Sequence, residues 1–519
     1  MKAQQTLQML HQYKKLLATL TVILSLPLIA NATILYVSTT GAGLTNGSSW
    51  ANAFSEFQLQ FAINSAISGD SIFVSCGVYR PTSGTNRSIS FAMRNNIKIF
   101  GSFQGFENQP GERAFSCGPC TILSGNINNS NISTDNSYKV ILNRNLNNSA
   151  LLDGFVIRDG YDQRNPASIE MGLGAGIYNG GSGAMPGSEG SLCSPTIRNC
   201  VIQNNYAAFG AGIFNNGHQN GNASPILDNC IIFNNTASIS GGGIDNFGWI
   251  NGNASPTLNN CLVVNNFASL RAGGMYCWGG LGGNANAVLN NCTFANNHAV
   301  SLAGGIIADN SDNLDGSPPF SGNANIVLKN SILWGNTAPQ GPQFYLNGGS
   351  VSATYSNIDM ANQSAPHQLT GSTLGNILSY PAFLDSTSIM GLDNCLMTND
   401  DGFALNITSI GINAGIDGDT ISIDLSQNNR VIGLSVDLGP YEYVLSDTCV
   451  WTGNANQSWE LAQNWMPERI PDADQMVRIP NSALAPNQPV IHNLHVICRK
   501  LWNFGIVQLS GFSTLTLKE

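Results

Sequence analysis

Apolar and polar positions recur in one order through the middle of the chain. The unit is Asn-Cys, three mostly apolar residues, Asn-Asn, a short spacer, then glycines and an aliphatic residue. It reads NCVIQNN…GAGIFNN from Asn199, NCIIFNN…GGGIDNF from Asn229, NCLVVNN…GGMYCW from Asn260 and NCTFANN…GGIIADN from Asn291. Short apolar runs closed by Asn and Gly predict strands rather than helices. The cysteines stand at 200, 230, 261 and 292, spacings of 30, 31 and 31 residues.

A fixed period of this length predicts a solenoid, whose units bury their apolar faces only against one another. Each unit offers a strand such as SPTLNNCLVVNN, a second at GGMYCW, and a return turn. The returns are Gly221-Asn222-Ala223, Gly252-Asn253-Ala254, Gly283-Asn284-Ala285 and Gly322-Asn323-Ala324. Three short strands and tight turns per unit predict an all-β fold, a right-handed parallel β-helix. Asparagine suits its corners, tolerating left-handed backbone and bonding along the stack. A decayed fifth unit starts at Asn330 (NSILWGN), with Ser331 in the cysteine position. Leucine-rich repeats are shorter and keep leucine at fixed places, and propeller units need four mostly antiparallel strands, so both fit worse.

The flanks read differently. Trp50, Phe54, Phe57, Phe61, Ile63 and Ala66 lie near helical spacing, an amphipathic helix placed to cover the open first rung. After about Val351 the period fades, while strands are expected to continue to VDLGPYEY at Val436–Tyr443. Trp451, Trp459 and Trp465 then open a small β-rich module. The expected organisation is a signal peptide over residues 1–32, the β-helix over 33–445 with clear repeats at about 172–340, and the module over 446–519.

Composition changes the picture in three ways. Only 10% of residues are charged and the net charge is −10, with no basic stripe for nucleic acid. Lys2, Lys14 and Lys15, the apolar run Leu16–Ile29 and Ala30-Asn31-Ala32 form a secretory signal; the alternative, an uncleaved anchor, needs a longer apolar run. Export permits disulfides among the 12 Cys. Equivalent Cys200, Cys230, Cys261 and Cys292 predict an inward ladder of buried thiols about 4.8 Å apart, with pairing between rungs as the alternative. Cys117-Gly-Pro-Cys120 lacks the following helix of a redox pair, so a local disulfide or two loop thiols are expected.

The repeats resemble those of the polymorphic outer-membrane proteins, which pair Gly-Gly-Ala-Ile with Phe-x-x-Asn. Gly242-Gly243-Ile244, Gly273-Gly274-Met275 and Gly304-Gly305-Ile306 match the first element, and Phe294–Asn297 keeps the second in full. The order YVS…NGSSW, FGSFQGFE, TILSG, LDGFVI, INAG and VDLGPYEY is also similar to right-handed β-helix repeat proteins of bacterial surfaces. The resemblance covers roughly Ile34–Tyr443 and implies the β-helix fold of such surface proteins, while its motifs are weak for activity. It also implies a later sorting domain or outer-membrane barrel; neither stands in this sequence, which reads as truncated.

Candidate chemistry is sparse. Charges gather at Asp153, Arg158, Asp159, Asp162 and Arg164, with a solvated turn as the plainer reading. Asp309, Asp312 and Asp315 crowd one insertion, oxygen ligands suited to Ca²⁺ but matching no standard loop; no other cofactor is expected. Asp424, Arg430, Asp437 and Glu442 predict a buried ionic cap on the last rung. His218 and His298 occupy different repeat positions and read as loop residues. Phe209, Phe247, Trp249, Tyr276 and Trp278 surround the glycine elements, as a strip that stacks on sugars or protein, or as loop packing. From Gly172 to Leu328 the only basic side chains besides histidine are Arg198 and Arg271, thin material for an acidic polymer. The reading is an exported, non-catalytic surface protein, a monomer whose partner is a glycan or protein. The alternative is a polysaccharide lyase or glycoside hydrolase, which needs a base with cations or a carboxylate pair.

Overall fold

The computed structural model describes residues 32–113, 115–165, 171–181, 191–313, 318–363, 366–418, 422–432, 434–444, 448–466, 469–472, 475–479, 487–498, 500–503 and 506–517, with residues 11 and 14. The expected signal segment therefore lies almost wholly outside them, as does Asp315. Among the described residues no helix is long and apolar enough to cross a membrane.

The chain forms a right-handed parallel β-helix. Its sheets run along the axis, and strands one rung apart pair in register. The first has ten strands, from Ile34–Val37 to Ser350–Thr354; the second has seven, from Ile141–Arg144 to Phe344–Asn347. The third has nine, from Gly77–Tyr79 to Asn357–Ile358, and the fourth has five, from Tyr161–Asp162 to His298–Ala299. Rungs in the repeat section thus carry four strands, not three. The run SPTLNNCLVVNN is broken at Asn260-Cys261 into Thr257–Asn259 of the first sheet and Leu262–Val264 of the third.

The Asn-Cys and Asn-Asn steps make those corners. Asn199, Asn229, Asn260, Asn291 and Asn330 hold φ between 49° and 51°, and Asn204, Asn234, Asn265 and Asn296 hold φ between 53° and 55°. Asparagine tolerates this left-handed region, which costs other side chains about 1–2 kcal/mol. The second asparagine of each pair turns inward. Asn205 Nδ2 donates to Asn235 Oδ1, Asn235 to Asn266 and Asn266 to Asn297, each at 3.0 Å, and Asn297 donates to Asn336 at 2.9 Å. A second buried ladder runs through Asn143, Asn179, Asn215 and Asn246 to Cys277 Sγ.

Between these ladders the core is aliphatic. Ile197, Leu227, Leu258 and Leu289 come from the first sheet, Ile213, Ile244 and Met275 from the second, and Ile202, Ile232 and Val263 from the third. Cys200, Cys230, Cys261 and Cys292 are free, fully buried and on neighbouring rungs, and burial pushes the thiols of the first three far above the ordinary range. Under the fourth sheet only methyls fit, so Ala207, Ala237, Ala268 and Ala299 stack there.

The expected capping helix is shorter than its apolar spacing. Two 3₁₀ turns, Trp50–Asn52 and Glu56–Gln58, lead into a seven-residue α-helix, Leu59–Ser65. Leu59, Ala62 and Ile63 nonetheless join the main core, covering the first rung, while Phe57 and Phe61 stay exposed. At the other end, residues 359–377 close the stack: Met360 and Leu369 pack on the core, and Gln363 and His367 bond the backbone of Phe344 and Leu346.

The strands expected out to Tyr443 do not form. Among the described residues 359–444 there is no strand; the segment doubles back as a strap over the outer face of the third sheet. Phe383, Met397, Phe403, Leu405, Leu425, Leu438 and Tyr441 bury the outward side chains of Val201, Ile231, Phe233, Leu262, Val264 and Ile332. Corner asparagines hold its carbonyls: Asn260 donates to Ile423 O, Asn296 to Ser386 O and Asn330 to Ile416 O. Cys117 and Cys120 do not pair locally. Cys120 bonds Cys76, and Cys117 bonds Cys395 of the strap, 278 residues away. Both disulfides suit a compartment outside the reducing cytoplasm.

The C-terminal module has its own core of Trp451, Trp459, Trp465, Val477 and Ile479. Its pairings are mostly parallel, as in Thr448–Trp451 with Met476–Ile479 and Met476–Ile479 with Lys500–Asn503, so it too is a short stack of coils.

Candidate functional site

The outer face of the second sheet is where chemistry gathers. Residues one step past the glycine-aliphatic elements form one column in register: Tyr178, Phe214, Asp245, Tyr276, Ile307 and Tyr345. Two steps further along lie Asn216, Phe247, Trp278 and Asp309. The period of the sequence thus turns into adjacent rows of side chains.

The rings stack along these rows. His218 lies 5.3 Å from Phe247 and 5.7 Å from Trp249, Phe247 is 5.2 Å from Trp278, and Trp249 is 5.5 Å from Trp278. Phe247 and Trp249 are half-buried, while Trp278 and Tyr276 are nearly covered. Four of the five aromatic residues expected at the glycine elements meet here. Phe209 does not, because it ends a strand of the fourth sheet. His218 is part of the strip rather than a plain loop residue, and His298 bonds Thr337 on the fourth sheet.

Beside the strip a small cleft of about 90 Å³ is lined by Arg271, Tyr276, Leu302, Ile307, Asp309, Tyr345 and Asn347. Tyr276 donates its hydroxyl to Asp309 Oδ2 at 2.8 Å. Asp309 Oδ1 accepts from the backbone N–H and hydroxyl of Ser311 and from Asn347 Nδ2. Burial holds the Tyr276 phenol far above the ordinary range, so it is a hydroxyl at any physiological pH. One rung below, Asp245 is sealed beneath the turn at Gly241 with only Ser240 Oγ donating to it. Burial pushes its pKa up to about 8.

The other sequence candidates are dispersed. Asp153 is fully buried and accepts from Arg113, Arg198 and Asn199. Asp162 is fully buried between Lys139 and Arg164, and Asp159 meets Arg158 and Ser124. These charges knit early rungs together. Asp312 Oδ1 is turned onto Leu281 N and both Ser321 donors, away from the set that holds Asp309. Among the described residues no three His, Cys, Asp or Glu side chains gather in a metal-holding group. The ionic cluster of Arg430 and Glu442, 2.9 Å apart, is buried as expected, but it lies on the flank. Gly439 N bonds Asn330 O there, so the cluster anchors the strap instead of capping the last rung. A larger hollow of about 610 Å³ at the capping helix is lined by Leu35, Phe54 and Phe61 and by polar residues including Thr33, Asn46 and Asp70, the last held by Thr33 and Ile67 N.

Asp245, Tyr345 and Asn347 were not singled out by sequence, and Arg271 only as one of two basic side chains between Gly172 and Leu328, histidine aside. Aligning every rung on its glycine-aliphatic step would have placed Asp245 and Tyr345 in the column of Tyr276.

No protein-family model and no curated protein matches the chain. Solved structures with similar backbones include a pectate lyase, Pel9A, at 16% identity, covering 80% of this chain and 98% of that one with a TM-score of 0.43. The A-module of the mannuronan C-5 epimerase AlgE4 of Azotobacter vinelandii is 12% identical, covering 66% and 97% with a TM-score of 0.32. A family 28 exopolygalacturonase of Yersinia enterocolitica is 14% identical, covering 64% and 72% with a TM-score of 0.21. At such values the chemistry of this chain has to be argued from its own residues.

Proposed function

We propose that this chain is an exported, adhesin-like β-helix protein that binds a saccharide in the groove along the outer face of its second sheet, without turning it over. The observation that carries this reading is the row of rings in contact, His218, Phe247 and Trp249 stacked and Trp278 tilted against them, beside a cleft with polar side chains. Aromatic faces pack on the apolar faces of sugar rings, while a few placed donors and acceptors fix orientation. The signal-like leader, the resemblance to polymorphic outer-membrane protein repeats and the two disulfides agree with display outside the cytoplasm.

A second reading, a carbohydrate-active enzyme, is favoured by one observation. Asp245 and Asp309 flank Tyr276, and the first would carry a proton at neutral pH, as an acid catalyst requires. Against it, Asp245 is 2% exposed and sealed by its own turn, out of reach of a glycosidic oxygen. A panel of neutral and acidic polysaccharides, assayed for binding and for new reducing ends or unsaturated products with and without Ca²⁺, separates the two. Binding without products supports the binding reading. Products that vanish in Asp245→Asn and Asp309→Asn establish the enzyme.

A further inference from the structure

Resting on the saccharide-binding reading, we infer that Arg271 is the specificity-determining residue of the groove and that the ligand carries an anionic group, a carboxylate or a sulfate ester.

Of the two basic side chains between Gly172 and Leu328, histidine aside, Arg198 is committed to Asp153 at 2.7 Å. Arg271 has no hydrogen bond or ion pair from its side chain among the described residues. It is half-buried and lines the cleft with Tyr276, Asp309 and Tyr345. In neighbouring rungs the same step of the backbone holds Ser240, Leu302 and Gln340, all neutral. The charge is therefore placed once, beside the cleft, and is not a feature of the repeat.

Asp309 forms no ion pair with it. Four donors of the chain occupy that carboxylate: Tyr276, Asn347 and the two of Ser311. The Arg271 guanidinium has no acceptor among the described residues and reaches water at the cleft, so its donors are open to an incoming anion. Its planar fork matches a carboxylate or sulfate with two parallel hydrogen bonds. With its proton given to Asp309, the Tyr276 hydroxyl in the cleft lining keeps its oxygen as an acceptor for a sugar hydroxyl. Tyr345 supplies a half-exposed ring on the same floor. An anion, a hydroxyl and a ring face together describe an acidic sugar. The net charge of −10 repels such a polymer elsewhere, which confines recognition to this point.

The test uses the whole chain and two matched pairs: an oligouronate against its methyl ester, and sulfated dextran against dextran. Titration calorimetry of wild type, Arg271→Ala and Arg271→Lys is compared with Trp249→Ala. The expected result is at least tenfold tighter binding of one charged member, lost in Arg271→Ala and partly kept in Arg271→Lys. The favoured pair tells carboxylate from sulfate. Equal affinity for charged and neutral members, with binding still lost in Trp249→Ala, overturns the role of Arg271 and leaves the saccharide reading standing. No binding of any member to wild type overturns both.

Discussion

The hydroxyl of Tyr276 donates to Asp309 Oδ2 at 2.8 Å, although the two residues lie 33 positions apart on adjacent rungs. The bond exists because the repeat sets Trp278 opposite Asp309 in register and Tyr276 two steps before Trp278. It locks one wall of the cleft to its floor. Replacing Tyr276 by Phe keeps the ring and removes the hydroxyl, leaving a buried acceptor short of one donor. A loss of about 1–2 kcal/mol in unfolding free energy by urea titration is expected, with weaker saccharide binding. Unchanged stability would show that Asp309 is satisfied without it.

The two asparagines of each Asn-Asn corner do different work. Asn266 donates to Asn297 Oδ1 and to the carbonyls of Ile232 and Val264, and it accepts from Asn235. Asn266→Ala is expected to cost about 3 kcal/mol or more, since several buried groups lose partners together. Asn265 sits at φ 55°, so Asn265→Ala should cost about 1–2 kcal/mol while Asn265→Gly is close to neutral. Thermal unfolding of the three variants checks the ranking; equal losses at both positions would contradict it.

Much of this was legible because one residue type served two visible ends. Asn199, Asn229 and Asn260 recur at the period and also suit left-handed corners, so sequence and backbone agree. The strap was not legible. Phe383, Phe403 and Leu438 follow no period, and they meet Val201, Ile231 and Leu262 only through chain reversal. Nor could spacing join Cys117 to Cys395, because pairing is set by tertiary contact and not by sequence distance. The aromatic half of the groove was visible beside the glycine elements. Arg271, Asp309 and Tyr345 were not seen as a group, since they lie on three different rungs.

The strap is held by apolar contact, by hydrogen bonds from the corner asparagines and by one disulfide closing a very long loop. Cys395→Ser removes that link, and the chain-entropy account puts its worth on the order of 5 kcal/mol. Limited proteolysis read by mass spectrometry should then show cuts within residues 378–444, with the repeat section intact. An unchanged cleavage pattern would mean that packing on the third sheet suffices.

Asp245 makes stability depend on pH in a direction opposite to most carboxylates. Burial raises its pKa from 3.8 to about 8, so between about pH 4 and 8 the folded chain binds a proton that the unfolded chain has released. Stability is full below that window and falls as pH rises through it, by at most about 1.4 kcal/mol per pH unit. Burial shifts Glu442 and Asp401 the same way, so the comparison must be with Asp245→Asn. The stability of that variant relative to wild type should climb from pH 4 to 8. A difference independent of pH would place the Asp245 proton wrongly.

The central claim is that the ring-lined groove of the second sheet holds a sugar chain. Its most direct measurement is the binding isotherm of wild type and Trp249→Ala against the best oligosaccharide from the panel, with Leu434→Ala, at 94% exposure on the strap, as a surface control. Saturable binding that weakens about tenfold in Trp249→Ala and is unchanged in Leu434→Ala is the expected result. Equal binding by all three proteins would contradict it.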